Sequence, residues 1–177
     1  MDATAETPHG YPIELEGSLG LADGRRLAVR PVIPGDAALL RAEFENADDE
    51  TLRLRFLTPR PQLDEHHLTR LVTVDYVWRL ALTAWDGVEP VAIARYEGET
   101  DAASAEVAFV VKPSYRRLGV ASGLVALLEK AAVAAGISEF TATFLASNPG
   151  AAGVLARSGF AVPTAHDGIG ETTKRLS

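Results

Sequence analysis

The stretch that decides the fold is EVAFVVKPSYRRLGVASGLVALLE, residues 106–129. It begins with a nearly all-apolar run typical of a central strand, crosses a short basic loop and ends in a helical pattern that starts at Gly119. A helix N-terminus carries unpaired backbone N–H groups and a partial positive charge of about half a unit, so it attracts anions. Glycine lets a ligand approach that backbone closely. The stretch therefore predicts a phosphate-binding loop between a strand and a helix.

Apolar periodicity and turn residues predict the elements on either side of this stretch. They are, in order, a strand at 26–33, helices at 37–46, 48–58 and 64–74, strands at 76–85, 91–96 and 106–111, a helix at 119–135, a strand at 140–145, a helix at 148–157 and a strand at 171–176. Asp86-Gly87 is a hairpin signal between two of these strands. This order predicts an α/β fold, with one mixed sheet and helices on its faces.

Composition favours one domain in a reducing compartment. The chain has 177 residues and 47% hydrophobic content, enough for one core and too little for two ordinary domains. Cysteine is absent, which excludes disulfides, thiolate metal sites and a cysteine nucleophile and fits a cytoplasmic location. We expect no secretory signal in the first twenty residues and no membrane span, because Glu129 and Lys130 interrupt the apolar stretch 119–137.

The charge of the chain is concentrated at its beginning. The net charge is -7, and residues 1–24 hold five acids and no lysine or arginine. Prolines and glycines among these acids predict a flexible acidic tail over residues 1–23, followed by the domain at 24–177. The remaining residues show no basic stripe of the kind that binds nucleic acid, so we expect no nucleic-acid partner.

The basic loop has other interpretations. An ordinary strand-to-helix turn, in which Gly119 eases the bend, is the simplest. The P-loop pattern is missing because no Lys-Ser/Thr pair follows in register, and the dinucleotide fingerprint is missing because position 121 is alanine. The serine-hydrolase turn has the pattern G-x-S-x-G, and Ser122 lies one position after the place where that pattern would have its serine. Adjacent His66 and His67 diverge by about 100° on a helix, so we expect no shared metal.

The pattern R-x-x-G-x-A at residues 116–121 resembles the signature [RQ]-x-x-G-x-[GA] of the GNAT superfamily of acyl-CoA-dependent N-acetyltransferases. The resemblance extends over residues 24–176 through LAVRPVIPGDAALL, Asn148 and ARSGF. Within the superfamily, DGRRLAVRPV, LRLRFL and VDYVWRLALTA are most similar to the catalytic domain of bacterial protein lysine acetyltransferases, including the mycobacterial type. The resemblance to the GNAT superfamily implies a mixed, mostly antiparallel sheet of six to seven strands with helices on both faces.

The resemblance also implies a cofactor, acetyl-CoA, and the residues that bind it. Its diphosphate would contact the loop and the helix start, and its pantetheine arm would run beside the preceding strand as an added strand. Asn148 would contact the far side of the cofactor, although helix capping explains that residue at least as well. The implied cofactor-binding residues are Phe109, Val110, Val111, Arg116, Arg117, Leu118, Gly119, Val120, Ala121 and Asn148.

The implied reaction is acetylation of an amine by direct attack. A lysine has a pKa near 10.4 and is almost wholly protonated at pH 7, so a base must take the proton. Glu106 stands where related lysine acetyltransferases have a catalytic glutamate; the alternative is a strand-end residue paired with an arginine such as Arg95. Leu155 matches the position where many members have a tyrosine acid.

Several choices stay open in the sequence. Protein lysine is the favoured acceptor by resemblance, and a small-molecule amine is the nearest alternative. A catalytically silent acyl-CoA-binding module is the rival from another class, because Leu155 replaces the tyrosine acid and Ala121 replaces the commoner glycine. The chain is expected to be a monomer or a homodimer.

Overall fold

An eight-stranded sheet organises the chain in the computed structural model, which describes residues 7–58 and 61–177. The strands are β1 (Gly17–Gly20), β2 (Arg26–Pro31), β3 (Arg79–Asp86), β4 (Glu89–Gly98), β5 (Ser104–Val111), β6 (Glu139–Leu145), β7 (Thr164–His166) and β8 (Ile169–Arg175). The helices are α1 (Ala37–Asn46), α2 (Asp49–Phe56), α3 (Glu65–Val72), α4 (Val120–Ala134) and α5 (Pro149–Arg157). The spatial order of the strands in the sheet is β1-β2-β3-β4-β5-β6-β8-β7.

Strand direction confirms the predicted fold class, a mixed and mostly antiparallel sheet. Every neighbouring pair of strands is antiparallel except β5 and β6, which are parallel. The sheet has eight strands rather than six or seven, because β1 and β7 were not predicted. β1 has only four residues, two of them glycine, and all three residues of β7 are exposed, so neither strand has an apolar alternation.

Helices cover both faces of the sheet, as expected. Leu80 and Leu82 of β3 pack in the main core with Leu124 of α4, on one face. Ala81, between them, points to the other face and packs with Val72 of α3 in a second cluster. This alternation follows from the two-residue period of a strand. Among the described residues, no helix has both the length and the apolarity needed to cross a lipid bilayer.

The folded part of the chain begins before the predicted boundary at residue 24. Strand β1 pairs with β2 along its whole length, and its Leu19 lies against the position of Gly123 in α4. The Ala22 N–H donates to the Leu118 carbonyl at 3.1 Å. The opening segment therefore packs onto the basic loop over residues 17–22, and this tertiary contact has no local sequence signal. Residues 1–6 of the expected tail lie outside the described residues.

Candidate active site

A gap opens between the parallel strands β5 and β6. Their pairing covers only Ser104–Glu106 against Glu139–Thr141. Both strands continue beyond this point, β5 to Val111 and β6 to Leu145, without pairing to each other. The sheet is therefore open along the second half of β5, and Glu106 is the last paired residue before the opening.

The main chain of β5 presents unpaired groups to this gap. The Lys112 N–H donates to the Val91 carbonyl across β4 at 2.9 Å. Because main-chain groups alternate in direction along a strand, those of Val110 also point to β4, and those of Phe109 and Val111 point to the gap. The Val111 carbonyl accepts from Arg116 Nε at 3.1 Å. The N–H groups of residues 109 and 111 thus form an open strand edge that an extended ligand can pair with.

The N-terminus of α4 lies beyond the end of the same strand. Gly119 is its N-cap with φ 89°, and a Cβ placed there would meet nothing within 4 Å. The first helical bond runs from the Gly123 N–H to the Gly119 carbonyl at 2.9 Å. The N–H groups of residues 120–122 consequently have no acceptor within the helix. Val120 and Ala121 are buried, with their side chains in the protein interior.

The two loop arginines have different surroundings. Arg116 donates through Nη2 to Thr51 Oγ1 at 2.8 Å, in addition to its bond to the Val111 carbonyl. It therefore fastens the loop to α2 and to the strand edge. Arg117 is exposed and has a left-handed backbone, with φ 63°. Of the two, Arg117 has the side chain that is free to approach an anion from solvent.

Asn148, Leu155 and Tyr115 each have a structural role. Asn148 caps the helix, with its Oδ1 accepting from the Ala151 N–H at 3.0 Å. Leu155 is buried in the main core, 3% exposed, and carries no hydroxyl. Tyr115, the nearest tyrosine to the loop in sequence, donates its hydroxyl to Asp86 at 2.8 Å. None of these three side chains provides an unengaged acid beside the gap.

Glu106 is exposed and pairs in register with Glu97 on β4 and Thr141 on β6. Its alternative partner, Arg95, makes a 2.8 Å salt bridge to Glu97 instead. The alternative in which Glu106 pairs with Arg95 therefore finds no ion pair among the described residues. The two-residue period of β5 places the Glu106 side chain on the same face of the sheet as Ala108 and Val110.

That face of the sheet carries a cavity of about 560 Å³. Helices α1 and α2 form its roof, and α1 is held to the sheet because Lys112 Nζ lies 2.8 Å from both Glu43 and Glu89. The walls are mainly apolar, and two arginines contribute to the lining, Arg55 of α2 and Arg95 of β4. Glu106 borders a second, smaller depression with Arg70 and Glu97.

Burial perturbs the charges beside this cavity. Arg95 is only 4% exposed, and burial lowers its pKa to about 10, so it stays protonated at neutral pH. Burial also lowers the pKa of Arg55, and the negative charges of Glu97 and Glu106 partly oppose that effect. Perturbed groups of this kind cluster at functional sites. The carboxylate of Glu106 and the guanidinium of Arg55 are thus close enough to interact electrostatically.

Comparison with known proteins identifies the fold and its chemistry. The model of the acetyltransferase (GNAT) family matches residues 43–160. The chain belongs to the GNAT family. It is an N-acetyltransferase of this family, and the residues matched include the gap, the basic loop and all of the cavity lining except Leu40. The family uses acetyl-CoA as its cofactor.

Solved structures agree with this assignment. The GNAT domain of S. lividans PAT is 31% identical, with 94% of this chain and 99% of that one covered and a TM-score of 0.87. A cAMP-binding acyltransferase from Mycobacterium smegmatis is 25% identical, with a TM-score of 0.67; the comparison covers 92% of this chain and 47% of that one. The chain thus spans about half of the mycobacterial protein. At 15% identity, a Salmonella typhimurium acetyltransferase shares the fold, with a TM-score of 0.68.

The residues around the gap fit acetyl-CoA. The open edge at residues 109 and 111 can pair with the amide-bearing pantetheine arm, and the free N–H groups at the start of α4 suit a diphosphate. The empty space where a Cβ of Gly119 would stand leaves room for that group. Among residues 7–58 and 61–177, no group of histidine, cysteine or carboxylate side chains could hold a metal ion.

The sequence alone did not predict that Arg55 and Arg95 line one cavity. Arg55 lies in a short helix with other charged residues, and its position under the sheet depends on how α2 packs. Arg95 interrupts the otherwise apolar strand run 91–96, and a charged residue in a buried run is a signal that could have been used.

Proposed function

We propose that the chain transfers the acetyl group of acetyl-CoA to a primary amine, with a lysine of a protein as the favoured acceptor and Glu106 as general base. The position of Glu106 carries this proposal. It is exposed at the last paired residue before the gap opens, on the face of the sheet that borders the cavity. An acceptor on that face would meet a cofactor held along β5.

The main chain of this protein would hold the cofactor. Acetyl-CoA supplies an acyl group that is activated as a thioester. Residues Phe109–Val111 would align its pantetheine arm, and an N–H of this strand would stabilise the carbonyl oxygen as it gains negative charge. The N–H groups of residues 119–121 would bind the diphosphate, aided by the exposed Arg117. Arg116 and Leu118 would act by shaping the loop, since both already contact its neighbours.

Glu106 would remove the proton that keeps the acceptor amine unreactive. Its carboxylate is solvent-exposed and makes no salt bridge within the described part of the chain, so an acceptor can approach it. Proton transfer through one water would serve as well as direct contact. The neutral amine then attacks the acyl carbon without a covalent enzyme intermediate, which fits the absence of cysteine.

The departing thiolate would not need a protein acid. Leu155 occupies the position of the missing tyrosine and is buried, while the Tyr115 hydroxyl is engaged with Asp86. A thiol has a reference pKa of about 8.5, so its thiolate is a modest base that can leave and take a proton from water. Asn148 would contribute through the cap that fixes the start of α5 beside the gap.

Two observations support a protein acceptor over a small amine. Three segments of the sequence, DGRRLAVRPV, LRLRFL and VDYVWRLALTA, resemble bacterial protein lysine acetyltransferases, and the GNAT domain of S. lividans PAT is similar over almost its full length. An exposed base is also accessible to a lysine on the surface of another protein. A small amine entering the cavity is the alternative that its volume favours.

The test is thiol release from acetyl-CoA in the presence of proteins from a cell lysate, followed by mass mapping of acetylated lysines. We expect release that depends on added protein and specific acetylated lysines that are missing with Glu106→Gln. Coenzyme A binding without thiol release against proteins or a panel of amines would instead indicate a silent binding module.

A further inference from the structure

Two arginines, Arg55 of α2 and Arg95 of β4, line the cavity beside the proposed active site among largely apolar residues. Arg95 is 4% exposed and lines the cavity, and its Nε is buried with no hydrogen-bond partner among the described residues. Arg55 lines the same cavity and makes no ion pair within residues 7–58 and 61–177. A buried guanidinium atom without an acceptor is costly, so an incoming acceptor group would be stabilised there.

The neighbouring carboxylates do not fully neutralise the charges of Arg55 and Arg95. Glu97 shares its two oxygens between Arg95, at 2.8 Å, and Arg70, at 3.0 Å. Arg55 interacts with Glu97 and Glu106 only at longer range. The charged residues that line the cavity are three cations, Arg55, Arg95 and Lys112, and two carboxylates, Glu43 and Asp48, so the lining carries one net positive charge. An anion entering the cavity would be attracted to the arginines.

The shape and lining of the cavity limit the kind of anion. A planar guanidinium matches a carboxylate through two parallel N–H···O bonds. Leu52, Phe56 and Ile93 provide apolar walls that suit a short carbon chain. Arg95 stands directly across from Ala108 in the register of β4 and β5, next to Phe109. Arg95 is thus adjacent to the segment of β5 beside which the thioester would lie.

We propose that Arg55 and Arg95 bind a carboxylate group of one of the two reactants. This inference rests on the proposed function, because it assigns a substrate class to the same site. The carboxylate can come from either reactant: the far end of a dicarboxylic acyl group on the donor, or the α-carboxylate of a free amino acid acceptor. In both cases the amine nitrogen forms a bond to the acyl carbon and the carbon–sulfur bond breaks. The electron pair leaves with the thiolate, and the amine proton passes to Glu106 or water.

Two matched pairs of substrates separate these sources. In the donor arm, succinyl-CoA is compared with butyryl-CoA, a neutral acyl group of equal chain length, using one amine. In the acceptor arm, lysine is compared with cadaverine, which lacks only the carboxylate, using acetyl-CoA. We expect kcat/KM to favour the carboxylate in at least one arm by about tenfold or more, the size of a charge-assisted hydrogen-bonded contact.

Substitution of the arginines tests the assignment. Arg55→Gln and Arg95→Gln should each reduce that preference to about twofold or less, consistent with the lost ion pair. Arg53→Gln is the matched control, because Arg53 lies on the same helix, pairs with Glu50 and does not line the cavity. It should leave the preference unchanged. Arg55→Gln keeps the test valid if loss of the buried Arg95 prevents folding, since Arg55 is only half-buried.

A binding measurement distinguishes this inference from the proposed function. Glutarate is titrated into the protein saturated with coenzyme A, with wild type, Arg55→Gln and Arg53→Gln in parallel. Binding that is lost only in Arg55→Gln supports a carboxylate site even if no amine is acylated. The inference is overturned if wild type binds no glutarate and shows no preference in either arm, or if Arg55→Gln changes neither readout.

Discussion

The two sides of strand β5 offer different kinds of binding surface. Its edge toward β6 presents main-chain N–H groups at residues 109 and 111, followed by those at the start of α4. Its face toward α2 presents side chains, with Glu106 in front and Arg55 and Arg95 in the cavity. A surface made of main chain depends on backbone conformation and tolerates most side-chain changes. A surface made of charged side chains is altered by one substitution and can set specificity.

Replacing the base on the face of β5 should have the largest effect. We expect Glu106→Gln to lower kcat by about 100-fold or more, the usual contribution of a general base. The dissociation constant of coenzyme A should change less than about twofold, because the edge that binds it is main chain. Thiol release at saturating acetyl-CoA and calorimetry measure the two quantities. An unchanged kcat would remove Glu106 from the mechanism.

Removing the carboxylate that forms an ion pair with the buried Arg95 should have the next largest effect. We expect Glu97→Gln to lower the free energy of unfolding by about 3 kcal/mol, because it leaves a buried guanidinium without its charge partner. Urea unfolding followed by circular dichroism measures the loss. Glu99→Gln is the control, as Glu99 is exposed just beyond the end of β4. Equal stabilities of the two variants would show that the Glu97 pair does not stabilise the fold.

The stability that Glu97 contributes should depend on pH in one direction. Burial alone would raise its pKa, but the positive charges of Arg95, Arg70 and Arg79 outweigh this effect and hold the pKa below its usual value. The contribution is therefore complete above the unfolded-state pKa of about 4.3 and is lost as the pH falls through the lower folded-state value. The stabilities of wild type and Glu97→Gln should begin to converge as the pH falls below about 4.3 and should become alike below the folded-state pKa. A difference that persists at lower pH would contradict this ion pair.

A methyl group at the start of α4 tests the edge of β5 and its loop. We expect Gly119→Ala to weaken coenzyme A binding about tenfold, because the methyl group would occupy the diphosphate space. Alanine also strains a backbone at φ 89° by about 1–2 kcal/mol, which lowers stability. Gly136→Ala is a matched control, with φ 86° and open space around its Cβ at the other end of the helix. Both variants should lose similar stability, and only Gly119→Ala should lose affinity. Equal affinities would contradict a diphosphate at this loop.

The smallest effect should come from the exposed loop arginine. We expect Arg117→Gln to weaken coenzyme A binding by no more than about fivefold, since an exposed charge contributes about 1 kcal/mol or less. The effect should shrink when ionic strength rises from about 0.05 M to about 0.5 M, as screening increases. Titrations at the two salt concentrations measure it, with Arg157→Gln as an exposed control. A large, salt-independent loss would mean that side chains, rather than main chain, dominate the loop.

The sequence predicted the elements with strong local patterns. The stretch 106–129 contains strand, loop and helix in one apolar and basic pattern, and Asp86-Gly87 does connect β3 to β4. Strand β1 was missed because its pairing depends on contacts with β2 and α4 rather than on its own four residues.

The two binding surfaces also differ in how well the sequence predicts them. The loop around Gly119 is local in sequence, so a motif can predict it. Arg55 and Arg95 line the same cavity but are forty residues apart in the sequence. Only the packing of α2 and the register of β4 bring them together. Glu97, rather than Glu106, is the partner of Arg95 because β4 has both residues on one face.

The most direct test of the main-chain binding site is a two-dimensional amide NMR spectrum of the isotope-labelled protein during titration with coenzyme A. We expect the largest shifts at the N–H groups of Phe109, Val111 and Gly119–Ala121. Shifts confined to residues away from the β5 edge and the start of α4, or no shifts at saturating coenzyme A, would contradict a main-chain binding site.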